Sequence, residues 1–217
     1  NRVDEALLCF ETIIARNDLS SREFEGLPQE KGFLVGGGET RKVVRIGEAK
    51  FEVDLLEGQK TGEYLDQVAN QMAVGALCAR KRVLDCFTYH GGFALHAALA
   101  GAASVEAVDI SEDAIKTCGR NAALNGVTVQ WKVANVFDDL NARVKAGEQW
   151  DVVVLDPPSF TRSKAKVEEA LRGYKEINLR AVKLLPAGGL LATFCCSHHV
   201  DAETFRACVL DAAFDAH

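Results

Sequence analysis

Hydrophobic positions change their period near residue 82. Upstream, Val3, Leu7, Phe10, Ile13 and Ile14 recur at helical spacing, which predicts an amphipathic helix over Val3 to Arg16 ended by Asn17-Asp18. Glu25 to Gly38 is broken by Gly26, Pro28, Gly32 and three consecutive glycines, so it reads as loop with a short strand at Phe33 to Val35. Two runs, Lys42 to Ile46 and Ala49 to Leu56, flank Gly47-Glu48 as a hairpin would. A dense polar stretch, Gly58 to Gln67, precedes a helix predicted over Val68 to Ala79. From there strands are expected at Val83–Asp85, Val105–Asp109, Val127–Lys132, Val152–Asp156 and Leu190–Phe194. Helices are expected at Phe93–Leu99, Glu112–Asn125, Val136–Ala146, Lys166–Leu185 and Ala202–Ala213. Near-continuous apolar strands alternating with helices indicate an α/β fold with a largely parallel sheet, covered on both faces and joined by right-handed crossovers. The chain divides accordingly into a small α+β unit over residues 1–67 and an α/β unit over residues 68–217.

Composition adds bounds. At 217 residues, 48% hydrophobic and 26% charged, the chain has the makeup of a globular protein with one substantial core and a satellite unit. It has no apolar run long enough for a bilayer and no signal-peptide pattern, so a soluble cytoplasmic protein without a membrane partner is expected. Seven cysteines lack Cys-x-x-Cys spacing and histidines at zinc-site offsets, which predicts reduced thiols rather than disulfides or a structural metal. A net charge of −6 weighs against a surface built for nonspecific phosphate binding. The start at Asn1 and the stop inside an amphipathic pattern read as a fragment of a longer protein.

The chemistry centres on Arg82 to Ala100, which reads as strand, glycine turn and helix. In an open parallel sheet such a turn lies at the carboxyl edge, where ligands bind and a helix's unpaired N–H groups face them. Asp85 ends the strand, and Gly91-Gly92 close the turn. Asp109 ends the next strand 24 residues on, the offset at which a carboxylate accepts hydrogen bonds from ribose hydroxyls. Ser111 is the better cap for the following helix, which leaves Asp109 for a ligand. The Gly-x-Gly-x-x-Gly of a dinucleotide site is absent. One acidic group and a glycine turn instead suit a ligand bearing an ammonium and a carboxylate, such as the methionine end of S-adenosylmethionine.

Asp85 to Phe93, Asp109, and Asp156-Pro157-Pro158-Ser159-Phe160 resemble the motifs of class I S-adenosylmethionine-dependent methyltransferases. Together with Gln59-Lys60-Thr61-Gly62, Tyr64-Leu65-Asp66-Gln67 and Thr193 to Val200, they resemble the bacterial family of ribosomal large-subunit RNA cytosine-C5 methyltransferases, over about Gly26 to Val200. The resemblance implies a Rossmann-like methyltransferase sheet in residues 68–217. It also implies that a PUA domain and the last two strands of a seven-stranded sheet lie outside this sequence. It implies S-adenosyl-L-methionine as cofactor, bound by Asp85, Phe87, Tyr89, Gly91, Gly92, Asp109, Ile110, Asn135, Val136 and Asp156, with Lys60, Tyr64 and Gln67 in a signature loop. Large-subunit ribosomal RNA is the implied partner, with Pro157, Pro158, Phe160 and Arg162 against the target base; a homodimer is the expected assembly. Two positions depart from the family pattern: Val68 stands where arginine is usual and Asn135 where an acid is usual.

The resemblance also gives the chemistry a nucleophile. C5 of cytosine is a poor nucleophile, and a thiolate added at C6 makes it enamine-like. Cys196 is placed for that role and Asp156 for the N3/N4 edge of the base, with Cys195 pointing the other way by strand alternation. Arg162, Lys164 and Lys166 form a short basic strip that reads first as a solvated face and, beside a target pocket, alternatively as a phosphate contact. Two alternatives stay open: a methyltransferase acting on a base nitrogen, which needs no thiol, and an inactive RNA-binding homologue.

Overall fold

A computed structural model describes residues 10–19, 21–58, 63–161 and 163–216. The chain separates into two units, Asn1–Arg45 with Lys50–Gln67, and Ile46–Ala49 with Val68–His217.

In the first unit, β1 (Ile13–Asn17) pairs antiparallel with β2 (Glu30–Val35), Ile14 opposite Phe33 and Asn17 opposite Glu30. This corrects the expected helix over Val3 to Arg16. Residues 1–9 lie outside the described set, and the end of the segment is strand. The β-branched pair Ile13-Ile14 suits a pleated surface, and its ladder partner is the short strand expected at Phe33 to Val35, which extends back to Glu30 through a stretch that reads as loop. Arg16 anchors the strand, donating to both carboxylate oxygens of Asp18 at 3.0 and 3.1 Å and to the Gly58 carbonyl at 2.9 Å. A one-turn helix, α1 (Ser21–Phe24), separates β1 and β2. The hairpin of β3 (Arg41–Ile46) and β4 (Ala49–Asp54) forms as expected around Gly47, whose φ is 59°. Phe51 and Val53 are buried alternately along β4.

The second unit opens with α2 (Val68–Gly75) and continues as β5 (Arg82–Cys86), α3 (Gly92–Leu99), β6 (Ser104–Asp109), α4 (Glu112–Asn125), β7 (Gln130–Val133), α5 (Val136–Ala146), β8 (Val152–Leu155), α6 (Val167–Lys183), β9 (Leu190–Thr193) and α7 (Ala202–Asp215). The five strands pair in parallel in the order β7-β6-β5-β8-β9. This is a Rossmann-like, doubly wound parallel sheet. β5 lies at its centre, and the order reverses there, so its carboxyl end is the switch point at which a ligand crevice opens.

Strand alternation divides the core. Leu84, Cys86, Val108, Val153 and Leu155 face Leu140, Tyr174, Ile177 and Ala181 from α5 and α6. Val83, Val105, Ala107, Val152 and Val154 face Phe93, Ala94 and Ala97 of α3. With both faces covered, all four residues of β8 are fully buried, which explains the unbroken apolar run. Ser111 caps α4, accepting from the Ala114 N–H at 3.2 Å, and Gly126 and Gly147 close α4 and α5 in left-handed conformations. Among the described residues no helix is long and apolar enough to cross a membrane.

Candidate functional site at the carboxyl edge of the sheet

Between β5 and α3 the chain turns through three left-handed residues, Phe87 (φ 63°), Tyr89 (φ 51°) and Gly91 (φ 86°). Two of them carry side chains, at a cost on the order of 1 kcal/mol each. The turn is therefore held from outside. The Thr88 N–H donates to the Val108 carbonyl at 3.1 Å, and the Tyr89 N–H donates to Asp109 Oδ2 at 2.9 Å. From α4, the Cys118 thiol donates to the Tyr89 carbonyl at 3.0 Å and Asn121 Nδ2 to the His90 carbonyl at 3.1 Å. The Tyr89 and His90 rings stack at 3.6 Å.

The two glycines of the turn serve different needs. Gly91 supplies the third left-handed residue, and a Cβ there would also stand 3.0 Å from the Trp131 ring. A Cβ on Gly92 would collide with the Gln71 amide of α2. Backbone and amide thus approach as closely as atoms allow, immediately before the free N–H groups of α3.

Asp85 is fully buried beneath this turn. Its Oδ2 accepts from Thr88 Oγ1 at 2.5 Å and from the Ala94 N–H at 3.1 Å, while Oδ1 has no hydrogen-bond partner among the described residues. Burial pushes its pKa up to about 7; the bonds from Thr88 and Ala94 oppose this, and the neighbouring carboxylates of Asp156 and Asp109 add to it. Three acids therefore converge on one crevice. Such a crevice favours a cationic ligand, and a buried carboxylate oxygen without a donor is the acceptor an ammonium group would satisfy.

Asp109 divides its carboxylate between the Tyr89 N–H and the Ser111 N–H, each at 2.9 Å. Each oxygen keeps acceptor capacity for a diol donor. Beside it Ile110 is exposed, an apolar side chain presented to solvent at the sheet edge. Asn135 caps α5, its side-chain oxygen accepting from the Phe137 N–H at 2.9 Å, and the Val136 side chain is buried in the core. Any ligand contact at Val136 falls to its backbone.

On the other side of β5, the Asp156 N–H donates to the Cys86 carbonyl at 3.4 Å, which places Asp156 beside the end of the central strand. Pro157 is buried and Pro158 exposed. Cys196, exposed just past β9, lies with its Sγ 3.5 Å from the Pro157 carbonyl, so the loops after β8 and β9 meet. Cys195 is half-buried against the core, opposite in sense to Cys196 as alternation predicts. The Phe160 ring turns inward, 4.5 Å from Tyr174 and 5.8 Å from Phe137, and anchors its loop. Lys164 and Lys166 are exposed on a single 3₁₀ turn. Tyr64 and Gln67 belong to the first unit; Lys60 and Arg162 lie outside the described residues.

Sequence reasoning missed Gln71, Thr88, Cys118 and Asn121, which shape the turn, and Ser159, Ser197 and Tyr174, which join the two loops. Asn121 left a readable signal: an amide on the otherwise apolar stripe of Ala114, Cys118 and Ala122 needs a buried acceptor.

The sequence profile of the S-adenosylmethionine-dependent methyltransferase family matches residues 32–206. Among curated proteins, the chain is 44% identical over 208 residues to "Ribosomal RNA large subunit methyltransferase I" of Shewanella amazonensis, covering 94% of this chain and 52% of that protein. The protein of the same name from Aeromonas salmonicida is 43% identical over 209 residues, covering 94% and 53%. The chain spans about half the length of these relatives. Among solved structures, the SAM-dependent methyltransferase from Agrobacterium tumefaciens superposes with a TM-score of 0.76 at 17% identity, covering 96% of this chain and 67% of that one. The tRNA (uracil-54, C5)-methyltransferase of Pyrococcus abyssi, in complex with S-adenosyl-L-homocysteine, superposes with a TM-score of 0.59 at 17% identity, covering 94% and 44%. Both likenesses are of fold.

Proposed function

Because the chain belongs to the S-adenosylmethionine-dependent methyltransferases, we propose that it methylates C5 of a cytosine in large-subunit ribosomal RNA, with Cys196 as the nucleophile. The RNA class follows the name of the curated relatives. The observation that carries the nucleophile is the meeting of exposed Cys196 with the Asp156-Pro157 loop, 3.5 Å from Sγ to the Pro157 carbonyl.

The crevice fits the cofactor on its own chemistry. Asp85 Oδ1, buried and without a donor among the described residues, would take the methionine ammonium. The free N–H groups at the start of α3 would take the carboxylate, Asp109 the ribose hydroxyls, and Ile110 one face of the adenine. When bound, S-adenosylmethionine supplies an electrophilic methyl group on a cationic sulfur, which the three carboxylates favour.

The protein's own residues prepare the acceptor. As a thiolate, Cys196 adds to C6 of the base, forming the S–C6 bond and shifting the ring's electron pair to C5. Asp156 accepts from the N4 amino group and stabilises the proton that N3 gains as the adduct forms. Once C5 carries its methyl group, loss of the C5 proton to water forms the C5=C6 double bond and expels the Cys196 thiolate, and N3 gives back to water the proton it gained. Pro157 and Pro158 hold the Asp156 loop with fixed φ and no N–H of their own. A base paired within folded RNA has to be splayed out to reach this edge.

The test is Cys196→Ala in the full-length protein. Methyl transfer to ribosomal RNA should fall by about three orders of magnitude or more, as expected for loss of a nucleophile, while calorimetric binding of S-adenosylmethionine persists. Full activity, or a product that nucleoside mass spectrometry identifies as methylated on nitrogen, overturns the assignment.

A further inference from the structure

Three hydroxyl groups behind Cys196 have no part in the chemistry above. Ser159 Oγ donates to the Thr161 carbonyl at 2.7 Å and lies 3.0 Å from Ser197 Oγ, which in turn lies 2.8 Å from the Tyr174 hydroxyl. Each hydroxyl has a single hydrogen. Ser159 uses its own on Thr161, so Ser197 must donate to Ser159 and Tyr174 to Ser197. The chain of hydrogen bonds has one polarity, running from α6 through the loop after β9 to the loop after β8.

Both interior members are locked. Tyr174 is fully buried, and Ser197 is 2% exposed. The phenol ring is held by Phe160 at 4.5 Å and edge-on by Phe205 at 5.4 Å. Burial raises the Tyr174 pKa, keeping the phenol protonated and able to donate. Cys195 packs against the core and Ser197 engages the Tyr174 hydroxyl. The residue between them, Cys196, is exposed, with its sulfur toward the Pro157 carbonyl, as alternation along an extended segment requires.

We propose that Ser197, clamped between Tyr174 and Ser159, is a positioning residue that locks Cys196 to the Asp156-Pro157-Pro158 loop so that sulfur and carboxylate meet one base. This rests on the assignment of Cys196 as nucleophile. Ser197 touches no reacting atom; it fixes the distance between two groups that do.

The experiment measures single-turnover methylation of a large-subunit ribosomal RNA transcript by the full-length protein. The variants are Ser197→Ala, Ser197→Thr, Tyr174→Phe, Ser159→Ala and the Tyr174→Phe/Ser159→Ala double. Ser197→Ala and Tyr174→Phe should slow the step about 10- to 100-fold, the scale of a small misplacement of reacting groups, with KM for S-adenosylmethionine within about 2-fold because the cofactor turn is untouched. Ser197→Thr retains the hydroxyl and should recover most of the rate. The double variant should be no slower than the slower single, as for members of one chain. Wild-type rates in Ser197→Ala and Tyr174→Phe, or rates that fall only with cofactor affinity and melting temperature, overturn the proposal. Cys196→Ala separates the two claims. If that variant stays active, the nucleophile assignment fails and the positioning role with it; if it is inactive while Ser197→Ala is fully active, only the positioning role fails.

Discussion

The carboxyl group of Asp85 is fully buried, with two donors on Oδ2 and none on Oδ1 among the described residues. Burial lifts its pKa from 3.8 to about 7, so between those values the folded state holds a proton that the unfolded state has lost. Stability therefore falls as pH rises through that window and stays lowered above it, by roughly 4 kcal/mol at about 1.4 kcal/mol per pH unit. In Asp85→Asn the amide oxygen can still accept from Thr88 and Ala94, and no charge is buried. The ligand-free variant should melt higher than the wild type, with the difference growing from pH 4 to 7 and level above. Binding moves the other way, because a cationic ligand needs the carboxylate: calorimetry should show Asp85→Asn losing S-adenosylmethionine affinity, and wild-type affinity weakening below pH 7. A variant that melts lower at pH 8 and binds the cofactor as tightly as the wild type would refute this role.

At the level of elements, the turn between β5 and α3 depends on what α2 presses against it. Gly92→Ala brings a methyl group against the Gln71 amide, whose burial at 5% exposure leaves it little room to swing away, and overpacking of this kind costs up to about 1–3 kcal/mol. Gly92→Ala should lower the denaturation midpoint and weaken cofactor binding, and adding Gln71→Ala should recover most of the stability by vacating that space. If the double variant is as unstable as the single, the collision is not the cause. Strands β5, β6, β8 and β9 and their helices were legible because buried parallel strands read as apolar runs, and Asp85, Gly91 and Asp109 because glycines and strand-end carboxylates stand out against them; β7 lies at Gln130–Val133 rather than Val127–Lys132, because this largely exposed edge strand carries no apolar run to fix its bounds. β1 was not legible: helical spacing in Val3 to Ile14 outweighed the β-branched pair Ile13-Ile14, and nothing in the sequence links that pair to the strand at Phe33 to Val35 with which it forms a ladder. Ser197, Tyr174, Cys118 and Asn121 escaped for a similar reason, since their meaning lies in hydrogen bonds between elements far apart in sequence.

Across the second unit, charge is arranged differently at the two ends of the sheet. Around the carboxyl edge, Asp85 lies near the carboxylates of Asp109 and Asp156, and its Oδ1 has no hydrogen-bond partner among the described residues. Toward the amino end, Arg143 in the last turn of α5 is 4% exposed and satisfied by three carboxylates: Asp139 at 2.5 Å, Glu148 at 3.0 Å, and Glu106 of β6. Lys132 holds the second oxygen of Asp139 at 2.6 Å, and the Trp150 ring lies under Arg143 at 5.4 Å and under Arg82 at 4.7 Å. The Arg143 cluster satisfies its own charges, whereas Asp85 keeps one buried oxygen without a donor among the described residues. Asn135 and Arg143 stand at opposite ends of α5, separated by about 12 Å along the helix axis at 1.5 Å per residue. Removing the guanidinium in Arg143→Met leaves Asp139 and Glu106 with one nearby cation, and breaking a buried pair in this way costs about 3–5 kcal/mol. The urea midpoint should drop accordingly. Under conditions where the variant is folded, its affinity for S-adenosylmethionine should stay within about 2-fold of the wild type, because the ligand-facing residues rest on the opposite ends of the strands. Asp109→Ala is the counterpart: losing the acceptor of the Tyr89 and Ser111 N–H groups should lower stability by only about 1–2 kcal/mol, less than Arg143→Met, while binding weakens at least about 10-fold, the equivalent of roughly 1.4 kcal/mol. An affinity loss in Arg143→Met equal to that of Asp109→Ala would show that the two ends are coupled through α5, and the separation of stability from binding would fail.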